Sequence, residues 1–156
     1  MEVSELKIRE ATNSDSQKIK SVVFEVLKEY NLDPDPASTD KDLDAIEDCY
    51  RLNGGYFGVI EEDYDIVATV GIYKLSENTC ELRKMYALPS QRGRGLGRKL
   101  MEFSLDKAKD LGFQRVVLET ATPLVEAIAL YKKYGFTEYL PNHLSSRCDQ
   151  AFELCL

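Results

Sequence analysis

The chain has 156 residues, 44% of them hydrophobic and 30% charged, which suffices for one buried core and leaves no room for a second domain, so residues 1–156 read as a single domain. A net charge of −7 counts against a nucleic-acid partner, because binding a phosphodiester backbone requires a basic face. No apolar run approaches the roughly 18 residues of a membrane span, and Met1 to Glu5 has neither a basic nor an apolar leader region, so a cytoplasmic protein with no membrane partner is expected.

In chain order, Leu6 to Arg9 alternates apolar with polar and predicts a half-buried strand. Ser14 and Gln17 form a capping-box pair, after which Ile19, Val22, Val23, Val26, Leu27 and Tyr30 recur at helical spacing. Asp33-Pro34-Asp35-Pro36 breaks that helix. Thr39 and Asp42 suggest a second capping box, with Leu43, Ile46 and Tyr50 on the face of a second helix that stops near Gly54 and Gly55. Tyr56–Ile60 and Ile66–Leu75 read as an antiparallel hairpin, followed by a strand over Glu81–Leu88. Leu96, Leu100, Leu105, Ala108 and Leu111 line a third helix ended by Gly112. A short buried strand at 116–120 precedes a helix capped by Thr122 and Pro123, and strands at 136–139 and 151–156 close the chain.

The segment Glu81 to Gly97 carries the chemistry. A strand runs through Pro89 into a turn with glycines at 93, 95 and 97, which allows consecutive N–H groups to converge on an anion at the positive end of a helix. Arg92, Arg94 and Arg98 add charge to the same place. The dinucleotide pattern G-x-G-x-x-G fails, since counting from Gly93 puts Arg98 at the last position and counting from Gly95 puts Leu100 there; the G-x-x-x-x-G-K-[ST] phosphate loop fails as well. The pattern present is R-x-x-G-x-G, at Arg92, Gly95 and Gly97. About thirty residues later comes a second block, A-I-A-L-Y-K-K-Y-G-F at 127–136, with Tyr131 four residues before Gly135.

With these two blocks the chain resembles the GNAT superfamily of acyl-CoA-dependent N-acetyltransferases over nearly its whole length. The resemblance implies an α/β (α+β) fold, a mixed and mostly antiparallel sheet of about seven strands flanked by four helices. It implies acetyl-CoA as cosubstrate, no metal, and direct attack by a primary amine of a small molecule or of a protein within a ternary complex. It assigns the pyrophosphate to the turn Arg92, Gly93, Arg94, Gly95, Leu96, Gly97 and Arg98, and the pantetheine arm and acetyl carbonyl to backbone N–H groups at Met85, Tyr86 and Ala87. Tyr131 takes the part of the general acid, although its helical spacing with Ala127, Ile128 and Tyr134 equally fits core packing. Glu81 and Glu119 are alternative bases, with a water chain as the third possibility. The chain departs from the family at Leu124, where many relatives carry an asparagine that contacts pantetheine.

Some base or proton wire is required, because an alkylamine of pKa near 10.4 is only about 0.04% neutral at pH 7. Residues 1–80 hold 18 acidic and 8 basic side chains, whereas 81–156 hold 9 and 12. That asymmetry suits a polyanionic cofactor on one side and a cationic amine acceptor on the other, with Asp33, Asp35 and Asp40 as its expected contacts; a merely solvating acidic surface is the competing explanation. Cys49, Cys80, Cys148 and Cys155 show no C-x-x-C spacing and read as reduced structural thiols, and His143 as a solvated loop residue. A domain that binds acyl-CoA without catalysis, as a sensor or interaction module, is the alternative function. A monomer or homodimer is expected.

Overall fold

The computed structural model describes residues 6–156; Met1 to Glu5, read above for a leader, lies outside them. The strands are β1 (Ile8–Glu10), β2 (Tyr56–Glu62), β3 (Asp65–Lys74), β4 (Thr79–Ala87), β5 (Arg115–Thr120), β6 (Thr137–Glu138) and β7 (Gln150–Cys155), and the α-helices are α1 (Ser16–Glu29), α2 (Leu96–Asp110) and α3 (Val125–Lys133). They form one seven-stranded sheet ordered β1-β2-β3-β4-β5-β7-β6. All neighbours are antiparallel except β4 and β5.

Both faces of the sheet are covered. On one, Ile19, Val23 and Leu27 of α1 pack with Leu43, Ile46 and Tyr50 over Phe57 and Val59 of β2. On the other, Leu96, Leu100 and Met101 of α2 and Tyr131 of α3 pack over Ile72, Leu82, Leu118 and Phe152. Leu111, expected on the buried side of α2, is 39% exposed, because the helix has already ended at Asp110.

Three helix starts differ from their sequence signals. At α1 the first turn is a 3-10 segment (Asn13–Asp15), where the Asp15 carboxylate accepts from the Thr12 N–H at 2.9 Å, and Ser14 merely pairs its hydroxyl with that of Thr12. The second helical segment is a 3-10 turn (Lys41–Asp44) followed by a π-helical turn (Glu47–Arg51). The Thr39 and Asp42 capping box does not form there, because Thr39 donates to Asp35 while Asp42 is drawn to Tyr50 and Lys84. At α3 the start lies beyond Thr122 and Pro123, because Thr122 bonds through its N–H and hydroxyl to Asp149.

Candidate active site

Among the described residues the only parallel pairing in the sheet is short. Thr79, Cys80 and Glu81 of β4 lie opposite Arg115, Val116 and Val117 of β5, and past these pairs the strands part while β5 continues its ladder with β7. A bulge helps to turn β4 aside: Thr69 pairs with Tyr86 but Gly71 with Arg83, which leaves an extra residue on β4. Lys84 takes it up at φ 53°, and Thr69 Oγ1 donates to the Lys84 carbonyl at 2.7 Å. The parting opens a cavity of about 820 Å3 that reaches from the glycine turn past both strands to the 143–148 loop.

At one end of this cavity lies the glycine turn. Gly93 and Gly95 have φ of 82° and 77°, and a Cβ at either position would find nothing within 4 Å. Gly95 is the N-cap of α2, and no side chain caps that helix. The first amides of a 15-residue helix therefore open on a cavity, which is the arrangement that binds phosphate. The arginines diverge. Arg92 lines the cavity but reaches back to Glu29 and, at 3.1 Å, to the Tyr30 hydroxyl. Arg94 forms two 3.0 Å bonds with Glu62 and also bonds to Gln91, so its guanidinium is turned toward β2 and is not part of the cavity wall. Arg98 lines the cavity.

Midway, Met85, Tyr86 and Ala87 of β4 face Thr120 of β5, Leu124 and Tyr131 across the opening. Tyr131 is 7% exposed, and its ring is packed against Phe136 and Phe152. Burial, with Tyr86 and Cys148 nearby, raises its phenol well above the ordinary value. Burial likewise pushes the Tyr86 phenol up to about 12. The Thr120 hydroxyl is buried and has no hydrogen-bond partner among the described residues. Such a group is costly to leave unmet.

Glu81 and Glu119 both line the cavity. Glu81 is paired with Arg83, whose guanidinium also stacks on Tyr73. Glu119 Oε1 accepts from the Ser145 N–H at 2.8 Å and the Ser145 hydroxyl at 2.9 Å. His143 and Cys148 also lie on the cavity wall, with the Cys148 thiol raised by burial. All four cysteines are free thiols, and among the described residues no group of three or more His, Cys, Asp or Glu is placed to hold a metal.

The far end is built on an ion cluster that sequence reasoning missed. Asp40, fully buried, accepts from Arg147 Nη1 and Nη2 at 2.8 and 2.7 Å and from the Asp35 N–H at 2.8 Å. Lys84 Nζ sits 3.3 Å from both Asp40 and Asp42 and donates to the Thr39 carbonyl at 3.0 Å. Burial alone would push the Asp40 carboxyl up, but Arg147, the Asp35 amide and Lys84 outweigh it and hold it below its usual value. Asp40 and Arg147 are 107 residues apart, so no local pattern could pair them. The one available signal was that Arg147 is the only lysine or arginine after Lys133. Of the three aspartates expected to meet an acceptor, Asp40 is thus held under Arg147, Asp35 accepts from Thr39, and Asp33 offers its carbonyl to Arg147 at 3.4 Å.

A family model described as the acetyltransferase (GNAT) family matches residues 23–136. The chain belongs to the GNAT acetyltransferase family. It is 39% identical over 134 residues to YjgM of Escherichia coli, named as an uncharacterized N-acetyltransferase, covering 83% of this chain and 80% of that protein. Among solved structures, a GNAT acetyltransferase from Staphylococcus aureus superposes with a TM-score of 0.89 over 96% of this chain and 98% of its own, at 23% identity. The acetyltransferase yncA from Salmonella typhimurium, described as putative and solved with its cofactor acetyl-CoA, gives a TM-score of 0.75 over 97% of this chain and 94% of its own, also at 23% identity. The GNAT fold is thereby shown for the whole described chain. No helix among the described residues is long and apolar enough to cross a membrane.

Proposed function

We propose that this GNAT acetyltransferase moves an acetyl group from acetyl-CoA to a primary amine by direct attack within a ternary complex in the cytoplasm. The observation that carries the reading is the continuity of one cavity from the uncapped turn at Gly93–Gly97, through the parting of β4 and β5, to Tyr131 and Glu119. The parts fit the cofactor chemically. The helix-start amides suit a pyrophosphate; the edge of β4 past Glu81, unpaired on its β5 side, suits an arm that carries amides.

When bound, acetyl-CoA supplies the activated thioester. The protein supplies the rest. Backbone N–H groups of Met85 to Ala87 orient the acetyl carbonyl and favour charge on its oxygen. Glu119, whose Oε2 has no hydrogen-bond partner among the described residues, takes the amine proton directly or through water, whereas Glu81 is engaged by Arg83. Tyr131, held protonated by burial, donates to the departing sulfur. The test is release of free CoA thiol from acetyl-CoA over a panel of amines. Binding of acetyl-CoA with no amine-dependent thiol release would favour a sensor or interaction domain instead.

A further inference from the structure

We propose that Arg147 receives a carboxylate of the acceptor, so that the substrate is an amine that also bears a carboxylate, in the class of free amino acids. The proposal rests on the acetyltransferase reading above and narrows its acceptor. Arg147 is brought to the cavity wall by the loop before β7, with its side chain 11% exposed. The end-on fork of its guanidinium is engaged: Nη1 donates to Asp40 Oδ2 and Nη2 to Asp40 Oδ1. The side-on fork meets no second carboxylate: besides Asp40 and the Asp33 carbonyl, the guanidinium interacts among the described residues with the Tyr86 hydroxyl, a neutral group that a carboxylate can displace or share. A guanidinium presents its five donors in such planar pairs, and one pair is what a carboxylate accepts with two bonds.

The order of burial in the cluster decides which sign of charge the cavity meets. Side-chain exposure is 0% for Asp40, 4% for Lys84, 7% for Asp42 and 11% for Arg147. Two cations and two carboxylates compensate one another, which makes their burial tolerable, yet the outermost member is the guanidinium. Asp40 behind it acts as a positioning residue. Of the other carboxylates on the wall, Asp35 accepts from the Thr39 hydroxyl at 2.9 Å, Glu81 pairs with Arg83 and Glu119 accepts from Ser145, while Glu126 stands on α3. The bond from Ser145 to Glu119 also fixes Arg147 two residues on, within about 7 Å along the chain. A carboxylate dock on this loop and the proposed proton acceptor bonded to it therefore share one wall, which suits an acceptor whose amine and carboxylate are few bonds apart.

The test measures initial rates with the full-length protein, acetyl-CoA and matched amines: an amino acid, its carboxamide and its decarboxylated amine, over several side chains. The expected result is kcat/KM at least about 30-fold higher for the acid than for either counterpart, expressed mainly in KM. Arg147→Gln should collapse the acid-to-amide ratio to about 1. Because that change strands Asp40, a double variant carrying Asp40→Asn with Arg147→Gln removes both charges and should show the same collapse. Equal kcat/KM for acid and amide in the wild-type protein overturns the proposal and leaves the acetyltransferase reading standing. Transfer to no amine in any set overturns that reading and the proposal with it.

Discussion

Replacing Tyr131 with phenylalanine separates the two roles open to this residue. The ring packs against Phe136 and Phe152 at centroid distances of 5.9 and 6.2 Å, and phenylalanine preserves those contacts where alanine would empty the site at about 3–5 kcal/mol. No described group is hydrogen-bonded to the hydroxyl, so its removal strands no partner, and the unfolding free energy should change by less than about 0.5 kcal/mol. The kinetic effect should be far larger. A general acid contributes about 10²- to 10⁴-fold, and the burial that raises this phenol weakens it as a donor to a thiolate of ordinary pKa near 8.5. The low end of that range, about 100-fold or 2.7 kcal/mol of barrier, is therefore expected in kcat. Thiol release at saturating amine reads the rate, calorimetry the CoA affinity, and urea denaturation the stability. Affinity should stay within about 3-fold, since the hydroxyl serves the chemical step. Full turnover in a variant of unchanged stability would refute the acid role and return Tyr131 to the core.

Acetyl-CoA at a hundred times its Kd should add about 2.7 kcal/mol of stability, a Tm increase of about 5–10 °C for a chain of this size; no shift, with ATP or NAD shifting it instead, would reject the cofactor. Gly95→Ala should cost about 1 kcal/mol, because φ is 77° there, and should weaken CoA binding at least ~10-fold by placing a methyl in space that holds no protein atom. Unchanged affinity by calorimetry would move the phosphate site elsewhere. Asp40, whose folded pKa lies below its unfolded one, adds stability that is fully present above the unfolded value near 3.9 and lost as pH falls through the lower folded value. Asp40→Asn should therefore lose about 3–5 kcal/mol at pH 7 and show a shallower decline below pH 4 than the wild type; parallel curves in urea denaturation across pH 2–7 would contradict this.

The glycine turn was legible because its requirements are local: glycine at positive φ, a strand before and a helix after, all within 81–110. The elements of the sheet were legible for the same reason, since alternation and β-branched runs mark them. The second helix was not, because Asp40 and Asp42 answer to Lys84 and Arg147 and not to their own backbone. Nor could the sequence show that Arg94 would turn to Glu62, or that a lysine would occupy the bulge at φ 53°. Glycine is the residue expected at such an angle, and here ion pairs to Asp40 and Asp42 favour lysine instead. Tyr131 stayed ambiguous in sequence because a residue that packs a helix and one that lines a cavity share the same spacing; in the fold it does both.

The parting of β4 from β5 divides the sheet into two panels, β1 to β4 and β5 with β7 and β6, stitched by three residue pairs. The panels meet again at the opposite rim, where Lys84 of β4 holds Asp40, Asp40 holds Arg147, and Ser145 of the same loop holds Glu119 of β5. The opening is thus spanned like a beam on two supports. Removing the ion pair leaves a cantilever hinged at Thr79–Glu81. An arm lying between the panels would then be gripped more loosely, although no residue touching it had changed.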